Sequence, residues 1–424
     1  MIEALFFIIL LNFLYGLFRF GSRINPVTIL TAGFLVESIV CLLYKPEWGL
    51  ESFQLKTLIL VGGGITVYTG VCALVNCYSR PRSVVPLDNE LWTIKTNYLW
   101  VFLVANVVIQ YFVYKYTLAY SGGSDLGAAL AEIDREAKFG ESEFQLPIVL
   151  RNLWFLFNCL SYCMLLQLSR LLISKKTNKK FWLMLAFAII SFMGGFLSGS
   201  RNASISMIVF FIVCYTVLLT KKYGKKKLKI SFRKIFICAL TAFVAVFAFL
   251  KSTELIGRDL SAWGEGYYFA FYCGAEIKNI DTYVSETHPK TSFGYYTLPF
   301  LPKEKSNYQI LRFRTNGAYM LGNVYTCFLN YYQDFGIWGS MLCMAFMAFI
   351  MQKLYMRSLA SATINSKVVD MSIIMYAFMC RHLFMSFFAE RFYGAFKWDT
   401  VKVIIELLLL SYVLYRYCCT RLQE

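Results

Sequence analysis

The 424-residue chain reads as an all-α polytopic integral membrane protein of about eleven transmembrane helices (range about 10–13) with one large extracytoplasmic loop. Three observations predict this class. Hydrophobic residues make up 58% of the chain and charged residues only 16%, against roughly a quarter in soluble domains. Apolar runs of the ~20 residues that a ~30 Å hydrocarbon core requires recur from end to end. A single long polar segment, Thr253 to Ala318, interrupts them.

The runs follow in order. Ile2–Phe18 turns apolar at once, with no basic leader and no small-residue cleavage site, so it reads as a first span and not a removed signal. Pro26–Tyr44 opens on Ile24-Asn25-Pro26, and Leu55–Tyr78 carries Gly62-Gly63-Gly64, which permit close helix contact. Tyr98–Ala119 precedes a polar stretch over 120–145 with six acids against Arg135 and Lys138. There Ser124-Asp125 is placed to cap a short helix. Leu126, Leu130 and Ile133 share one face of it, which suits a helix lying on the outer membrane surface. Leu146–Ile173, Phe181–Leu197 (with Gly194-Gly195), Ala203–Thr220 and Ile235–Leu250 lead into the long polar segment. Phe335–Leu354, Val369–Phe388 and Val401–Tyr417 complete the set. The organisation is N-terminal transmembrane helices over 1–252, the large loop over 253–318 and C-terminal transmembrane helices over 319–424.

Basic residues assign the sides, because Lys and Arg stay cytoplasmic. Arg19 and Arg23 follow the first span, and Arg80, Arg82 and Lys95 the third. Lys175, Lys176, Lys179 and Lys180 follow the fifth, and eight Lys/Arg between Lys221 and Lys234 follow the seventh. Lys353, Arg357 and Lys367 follow the ninth, and Arg416 and Arg421 lie near the end. Every second loop carries the excess, so the N-terminus and the long loop are expected outside and the C-terminus in the cytoplasm. The formal charge of +17 is explained by these loops without a nucleic-acid partner. Thirteen cysteines are scattered, mostly in apolar spans, with no CxxC pair and no Cys/His cluster of metal spacing. They read as small hydrophobes, and no metal or cofactor is expected. Without similar halves or an internal repeat, an inverted-repeat transporter gains no support.

Several residues are candidates for chemistry. Gly194-Gly195-Phe196-Leu197-Ser198-Gly199-Ser200-Arg201-Asn202 interrupts two apolar runs at the outer side. Arg201 stands just before a helix N-terminus, where the dipole favours an anion. It either binds a phosphate or pyrophosphate, or snorkels to headgroups or a loop acid. Leu311-Arg312-Phe313-Arg314-Thr315-Asn316-Gly317 leads into Gly322-Asn323-Val324-Tyr325-Thr326. Its paired arginines followed by amide and hydroxyl side chains suit a polyanion or a sugar, or a solvated surface. Asp334 of Asp334-Phe335-Gly336 is expected to cap the following span. A kinase reading fails, because no glycine-rich loop, strand lysine or His-Arg-Asp accompanies it. Arg381-His382 and Glu390-Arg391 flank the outer end of the tenth run. His382 is a candidate general base, and the bland alternative is a satisfied hydrogen-bonding histidine. His288 reads as part of a turn. The loop acids Glu254, Asp259, Glu265, Glu276, Asp281, Glu286 and Glu304 are further candidate bases. The loop aromatics Trp263, Tyr267, Tyr268, Tyr295 and Tyr296 are candidates for stacking on sugar rings.

Taken together these pieces resemble the O-antigen polymerase family, the Wzy-type oligosaccharide repeat-unit polymerases of bacteria. The resemblance rests on Ile24-Asn25-Pro26, Ser198-Gly199-Ser200-Arg201 and Phe293-Gly294-Tyr295-Tyr296-Thr297. Its most specific part is Gly322-Asn323-Val324-Tyr325-Thr326 with Tyr331-Tyr332-Gln333-Asp334-Phe335-Gly336-Ile337-Trp338-Gly339. It implies a GT-C-like membrane glycosyltransferase in the bacterial plasma (inner) membrane. Such an enzyme joins undecaprenyl-pyrophosphate-linked oligosaccharide repeat units into O-antigen, capsular or exopolysaccharide at the outer face. The implied partners are that lipid-linked oligosaccharide, the lipid bilayer and a chain-length regulator. The residues it nominates are Arg201, Arg314 and His382 for catalysis, and Arg312, Asn323, Tyr325, Arg135 and Arg391 for binding substrate. An O-antigen ligase, or a flippase for the same lipid-linked sugar, is the alternative.

Overall fold

A computed structural model describes residues 1–20, 22–78, 92–120, 125–139, 145–199, 201–224, 265–289, 292–301, 311–360 and 371–421. In chain order they form α1 (Ile2–Arg19), α2 (Pro26–Leu43), α3 (Leu55–Tyr78), β1 (Trp92–Ile94), α4 (Thr96–Tyr120) and α5 (Leu126–Phe139). Next come α6 (Ile148–Ile173), α7 (Lys179–Gly194), α8 (Asn202–Tyr223), α9 (Glu265–Ser285), β2 (Arg314–Asn316) and β3 (Tyr319–Gly322). The order closes with α10 (Phe328–Ala360), α11 (Met371–Phe384), α12 (Trp398–Val413) and β4 (Cys419–Arg421). Among the described residues eight helices, α1–α4, α6–α8 and α10, are long and apolar enough to cross a membrane. The protein is a mostly helical, multi-pass membrane protein. The expected span Ile235–Leu250 lies outside the described residues, as do Glu254, Asp259, Trp263 and Glu304. The last two expected spans are not among these eight. α11 tightens into a 3-10 turn at Met385–Phe387, and α12 has 16 residues.

Two compact units emerge, each drawing on distant parts of the chain. The first comprises Met1–Val85, Ala270–Ser361 and Ser372–Lys402. α2 starts where it does because Asn25 accepts hydrogen bonds from Val27 N and Thr28 N. Thr28 Oγ1 accepts from Asn25 N in return, and Pro26 occupies the first turn. Small residues then let helices approach. A Cβ at Gly16 would lie 2.9 Å from Val27 of α2, and one at Gly63 2.9 Å from Met341 of α10. α10 is not one straight rod. Gly336, at φ 66° and ψ −166°, divides a short leading piece from the apolar span.

One end of this unit is a polar cap. Lys45 pairs with Glu3 at 2.6 Å, bringing the N-terminus to the α2–α3 loop. That loop also receives the hairpin and α9: Asn316 Nδ2 donates to Glu47 O at 2.8 Å and Lys278 Nζ to Gly49 O at 3.3 Å. Gln54 N donates to Asp281 Oδ1 at 3.0 Å. The segment after α11 joins the same end through Cys327 N to Ser386 O, 2.9 Å. The opposite helix ends carry Arg19, Arg23, Lys353 and Arg357.

The long polar segment is therefore not an unstructured loop. Its centre is α9, a helix of 21 residues that buries Ala275, Ile277, Ile280 and Tyr283 together with Glu276, Asn279 and Asp281. Gly274 makes the docking possible. A Cβ there would stand 2.5 Å from Val40 of α2 and 3.2 Å from the buried Trp48.

The second unit comprises Pro86–Phe269, Ala362–Met371 and Val403–Glu424. Polar groups stitch its helices: Asn106 Nδ2 donates to Ser191 Oγ at 2.9 Å and Trp154 Nε1 to Gln110 Oε1 at 3.2 Å. α5 forms as its cap and its apolar face dictate, with Asp125 Oδ1 accepting from Gly127 N at 2.9 Å. Leu126 and Leu130 pack on Phe192 and Phe196, so the face expected to lie on the membrane surface instead meets protein. β1 pairs antiparallel with β4, Thr93 opposite Thr420.

Candidate functional site

The polar cap of the first unit gathers the most chemistry. The β2–β3 hairpin, turned at Gly317 (φ 56°) and with Arg314 opposite Gly322, sets the Arg314 backbone. The guanidinium then makes a bidentate pair with Glu286, Nη1 to Oε1 at 2.6 Å and Nη2 to Oε2 at 2.7 Å. Arg314 Nε donates to Tyr325 Oη at 2.7 Å, and that hydroxyl donates to Arg312 O at 3.1 Å. Three of the five guanidinium donors are thus engaged in a planar fork suited equally to carboxylate and phosphate. Arg314 is 11% exposed and Glu286 38%, so the pair sits at the edge of the cap with solvent on the carboxylate side. The guanidinium holds the Glu286 carboxyl below its ordinary range. Burial pushes the Tyr325 hydroxyl up and keeps it neutral.

Aromatic rings wall this pair. His288 stacks on Tyr283 with centroids 3.6 Å apart, and its Nε2 lies 2.6 Å from Tyr283 O and 3.9 Å from Glu286 Oε2. Tyr325 and Tyr332 meet Tyr283 edge-on at 6.2 and 6.4 Å. Tyr283 Oη donates to Gln333 Oε1, and Gln333 Nε2 donates to Pro289 O at 2.8 Å. His288, expected to be merely a turn residue, is part of this wall.

Asn279 fixes the loop that follows the hairpin, since its Nδ2 donates to both Leu321 O and Val324 O at 2.8 Å. Asn323 sits half-buried within that loop. Asp334 acts differently from the capping role expected of it. Its carboxylate accepts from Tyr296 N at 2.9 Å and Thr297 N at 2.7 Å, tying the Phe293–Thr297 turn to the leading piece of α10. Gln333 lies within the Tyr331–Gly339 motif without a role assigned to it, and no local motif marks Asn279. A polar residue recurring on the inward face of a helix is the only available signal, and it is visible once α9 is known to be a helix.

His382 and Arg391 lie on the same unit, at the end of α11. Arg381 Nε donates to His382 Nε2 at 3.2 Å and its guanidinium stacks 3.6 Å over Phe378. The imidazole lone pair that a general base needs is therefore engaged by a cation. Arg391 is exposed. Beside it Glu390 accepts from Tyr393 N at 2.6 Å and Gly394 N at 3.2 Å. Burial nevertheless pushes its carboxyl up to about 7, which makes it the acid of this region poised to exchange a proton near neutrality. Sequence reasoning noted Glu390 but assigned it no role.

Beneath the cap Glu276 and Glu37 are both fully buried, and among the described residues no side chain hydrogen-bonds to either carboxyl; the backbone N–H groups of Glu276 and Ile277 are the donors close to them. They lie within electrostatic range of each other and of Cys41. Burial pushes the Glu276 carboxyl well above its usual range.

Arg201 belongs to the second unit. It is buried at 9% exposure immediately before α8, at the end of a turn made by Gly195–Ser198 and Gly199 at φ 69°. Ser204 Oγ donates to Phe192 O at 2.8 Å and Ser198 Oγ to Gly195 O at 2.8 Å, so hydroxyls pin both flanks of the turn. Arg135 falls within α5, and its side chain lies outside the described residues. The expected site residues thus come together in one group, Arg312, Arg314 and Tyr325, while Arg201 and Arg135 belong to a separate unit. Among the described residues no group of three or more His, Cys, Asp or Glu is arranged to hold a metal ion. Comparison with protein-family models, curated proteins and solved structures found no match.

Proposed function

We propose that the protein is a GT-C-like membrane glycosyltransferase that joins undecaprenyl-pyrophosphate-linked oligosaccharide repeat units at the outer face of a bacterial plasma membrane. The observation that carries this reading is the Arg314 fork. It stands in an aromatic-walled cap at the end of a helical unit whose opposite end holds Arg19, Arg23, Lys353 and Arg357. Positive charge at that opposite end supports a cytoplasmic location for it and, with it, an outer location for the cap.

In the proposed reaction a sugar hydroxyl of one lipid-linked unit attacks the anomeric carbon of another. The bond to the pyrophosphate breaks, the new glycosidic bond forms, and the hydroxyl proton passes to a protein carboxylate. The lipid pyrophosphate departs. Arg314 would bind that leaving group as its charge develops, with Glu286 occupying the fork until a phosphate replaces it. Tyr283, Tyr325 and Tyr332 offer ring faces and edges for sugar. Arg201, on its own unit, is a second candidate for phosphate.

The test uses purified full-length protein with lipid-linked repeat units and no ion gradient. Elongation of the glycan, read as a ladder on a gel, is the expected result, and it excludes a flippase. Arg314→Ala and Arg201→Ala should each leave single repeat units while the protein still inserts. Arg314→Lys should be impaired, because a point charge lacks the bidentate fork. Normal chain lengths in both alanine variants would overturn the assignment.

A further inference from the structure

A second cationic site lies at the far end of α6, in the second unit, and it has no part in the reaction above. Arg170, in the last turn of α6, is only 6% exposed. Its Nε and Nη2 have no hydrogen-bond acceptor within reach. The one described contact of the guanidinium is the Tyr415 ring, 5.5 Å away. One turn earlier on the same face, Gln167 is 1% exposed, with neither amide atom hydrogen-bonded. A buried guanidinium left this way costs several kcal/mol, and a cation–π contact returns about 2 kcal/mol of it. Among the described residues the surroundings offer no carboxylate. The described stretches that meet here, 92–95, 170–182, 218–223 and 414–421, contain Lys and Arg but no Asp or Glu. Lys180 Nζ is tied to Thr93 Oγ1 at 2.9 Å and Lys222 Nζ to Ile173 O at 2.7 Å, so three helices bring positive charge to the same place.

We infer that Arg170 and Gln167 form a binding site for the phosphate of an anionic phospholipid headgroup. The anion that satisfies the guanidinium must come from outside the described chain. Arginine's planar fork matches phosphate oxygens, and the Gln167 amide adds one neutral donor. Depth favours a lipid over a soluble phosphate. At 1.5 Å per residue, Arg170 stands roughly 33 Å along α6 from Ile148, just past a hydrocarbon core of ~30 Å and therefore at headgroup level. Basic pockets between helices at the charged end of a membrane protein bind such headgroups.

The experiment is native mass spectrometry and thermal unfolding of the full-length protein in detergent. The additions are phosphatidylglycerol, phosphatidylcholine or inorganic phosphate, each alone. Wild type should retain phosphatidylglycerol at several-fold higher occupancy than phosphatidylcholine and unfold at a higher temperature with it. Arg170→Met, of similar volume and uncharged, should lose both effects, and Arg170→Lys should keep part of them. Equal retention of the two lipids by wild type would overturn the site. So would undiminished phosphatidylglycerol retention in Arg170→Met. Stabilisation by inorganic phosphate equal to that by phosphatidylglycerol would overturn the headgroup as its source. If Arg170→Met does not fold, the wild-type lipid comparison decides alone.

Discussion

Gly322 is the position where a single methyl group should do the most harm to the cap. It faces Arg314 across the hairpin and is buried. Its φ of 69° lies in the left-handed region, which costs an L-residue about 1–2 kcal/mol. A Cβ would also stand 2.6 Å from Phe271 Cζ, on a ring packed against the hairpin. Overpacking of this kind costs about 1–3 kcal/mol. Gly322→Ala should therefore lose about 2–5 kcal/mol, and Arg314 should move with the strand that holds it. Gly317, at the turn of the same hairpin, supplies the control. Its φ is 56° but nothing lies within 4 Å of its Cβ position, so Gly317→Ala should lose only the backbone part, about 1–2 kcal/mol. Both variants are measured as detergent-solubilised full-length protein, heated and scored for the monodisperse fraction. At roughly 2–4 °C per kcal/mol, the two should be separable. A Phe271→Leu change should recover part of the Gly322→Ala loss. A Gly317→Ala midpoint as low as that of Gly322→Ala, or no recovery by Phe271→Leu, would refute the packing argument.

Three further perturbations have a definite sign. Glu390 is held as an acid up to about 7 in the folded protein, against 4.5 ordinarily. Its stability contribution is therefore full below about 4.5 and lost as pH rises through about 7, with an upper bound of about 3 kcal/mol. Glu390→Gln should flatten the thermal midpoint between pH 5 and pH 8, and an unchanged slope would discount Glu390. Glu276→Gln removes a buried carboxyl without a side-chain partner among the described residues. It should raise the midpoint by the equivalent of about 1–3 kcal/mol, increasingly so above the ordinary carboxylate range, and a lower midpoint there would show a partner the buried pair needs. Asp334→Ala should cost about 1–3 kcal/mol, because it leaves the Tyr296 and Thr297 N–H groups without their acceptor. Faster proteolysis within Phe293–Thr297 is the readout.

The membrane helices were legible because hydrocarbon leaves little choice: a backbone within it must satisfy its own hydrogen bonds. Apolar runs such as Leu55–Tyr78 and Ile148–Ile173 appear in the structure at nearly their expected bounds. α5 was legible too, since Asp125 and the Leu126, Leu130, Ile133 spacing state a cap and a face. What that face touches was not, because its partners Phe192 and Phe196 belong to another helix. α9 escaped notice for a specific reason. Glu276, Asn279 and Asp281 occupy its buried face, so its hydrophobic period is broken where it matters. The arginines of 312–314 were recognised as candidates, but the partner that defines Arg314, Glu286, lies 28 residues earlier. No local pattern joins the two. Asp334 is a like case: a carboxylate before a helical reset at Gly336 has the local pattern of a cap, and its donors, Tyr296 N and Thr297 N, come from another loop.

The pairing of β1 with β4, reinforced by Lys95 N to Cys418 O at 2.9 Å, joins residues far apart in the chain. At 5–20 residues per second a ribosome takes on the order of tens of seconds to travel between them. Through that interval the Trp92–Ile94 edge has no strand beside it. Assembly of the second unit thus waits on Cys419–Arg421, and a chain cut short before Cys419 would leave an open edge for quality-control proteases to find.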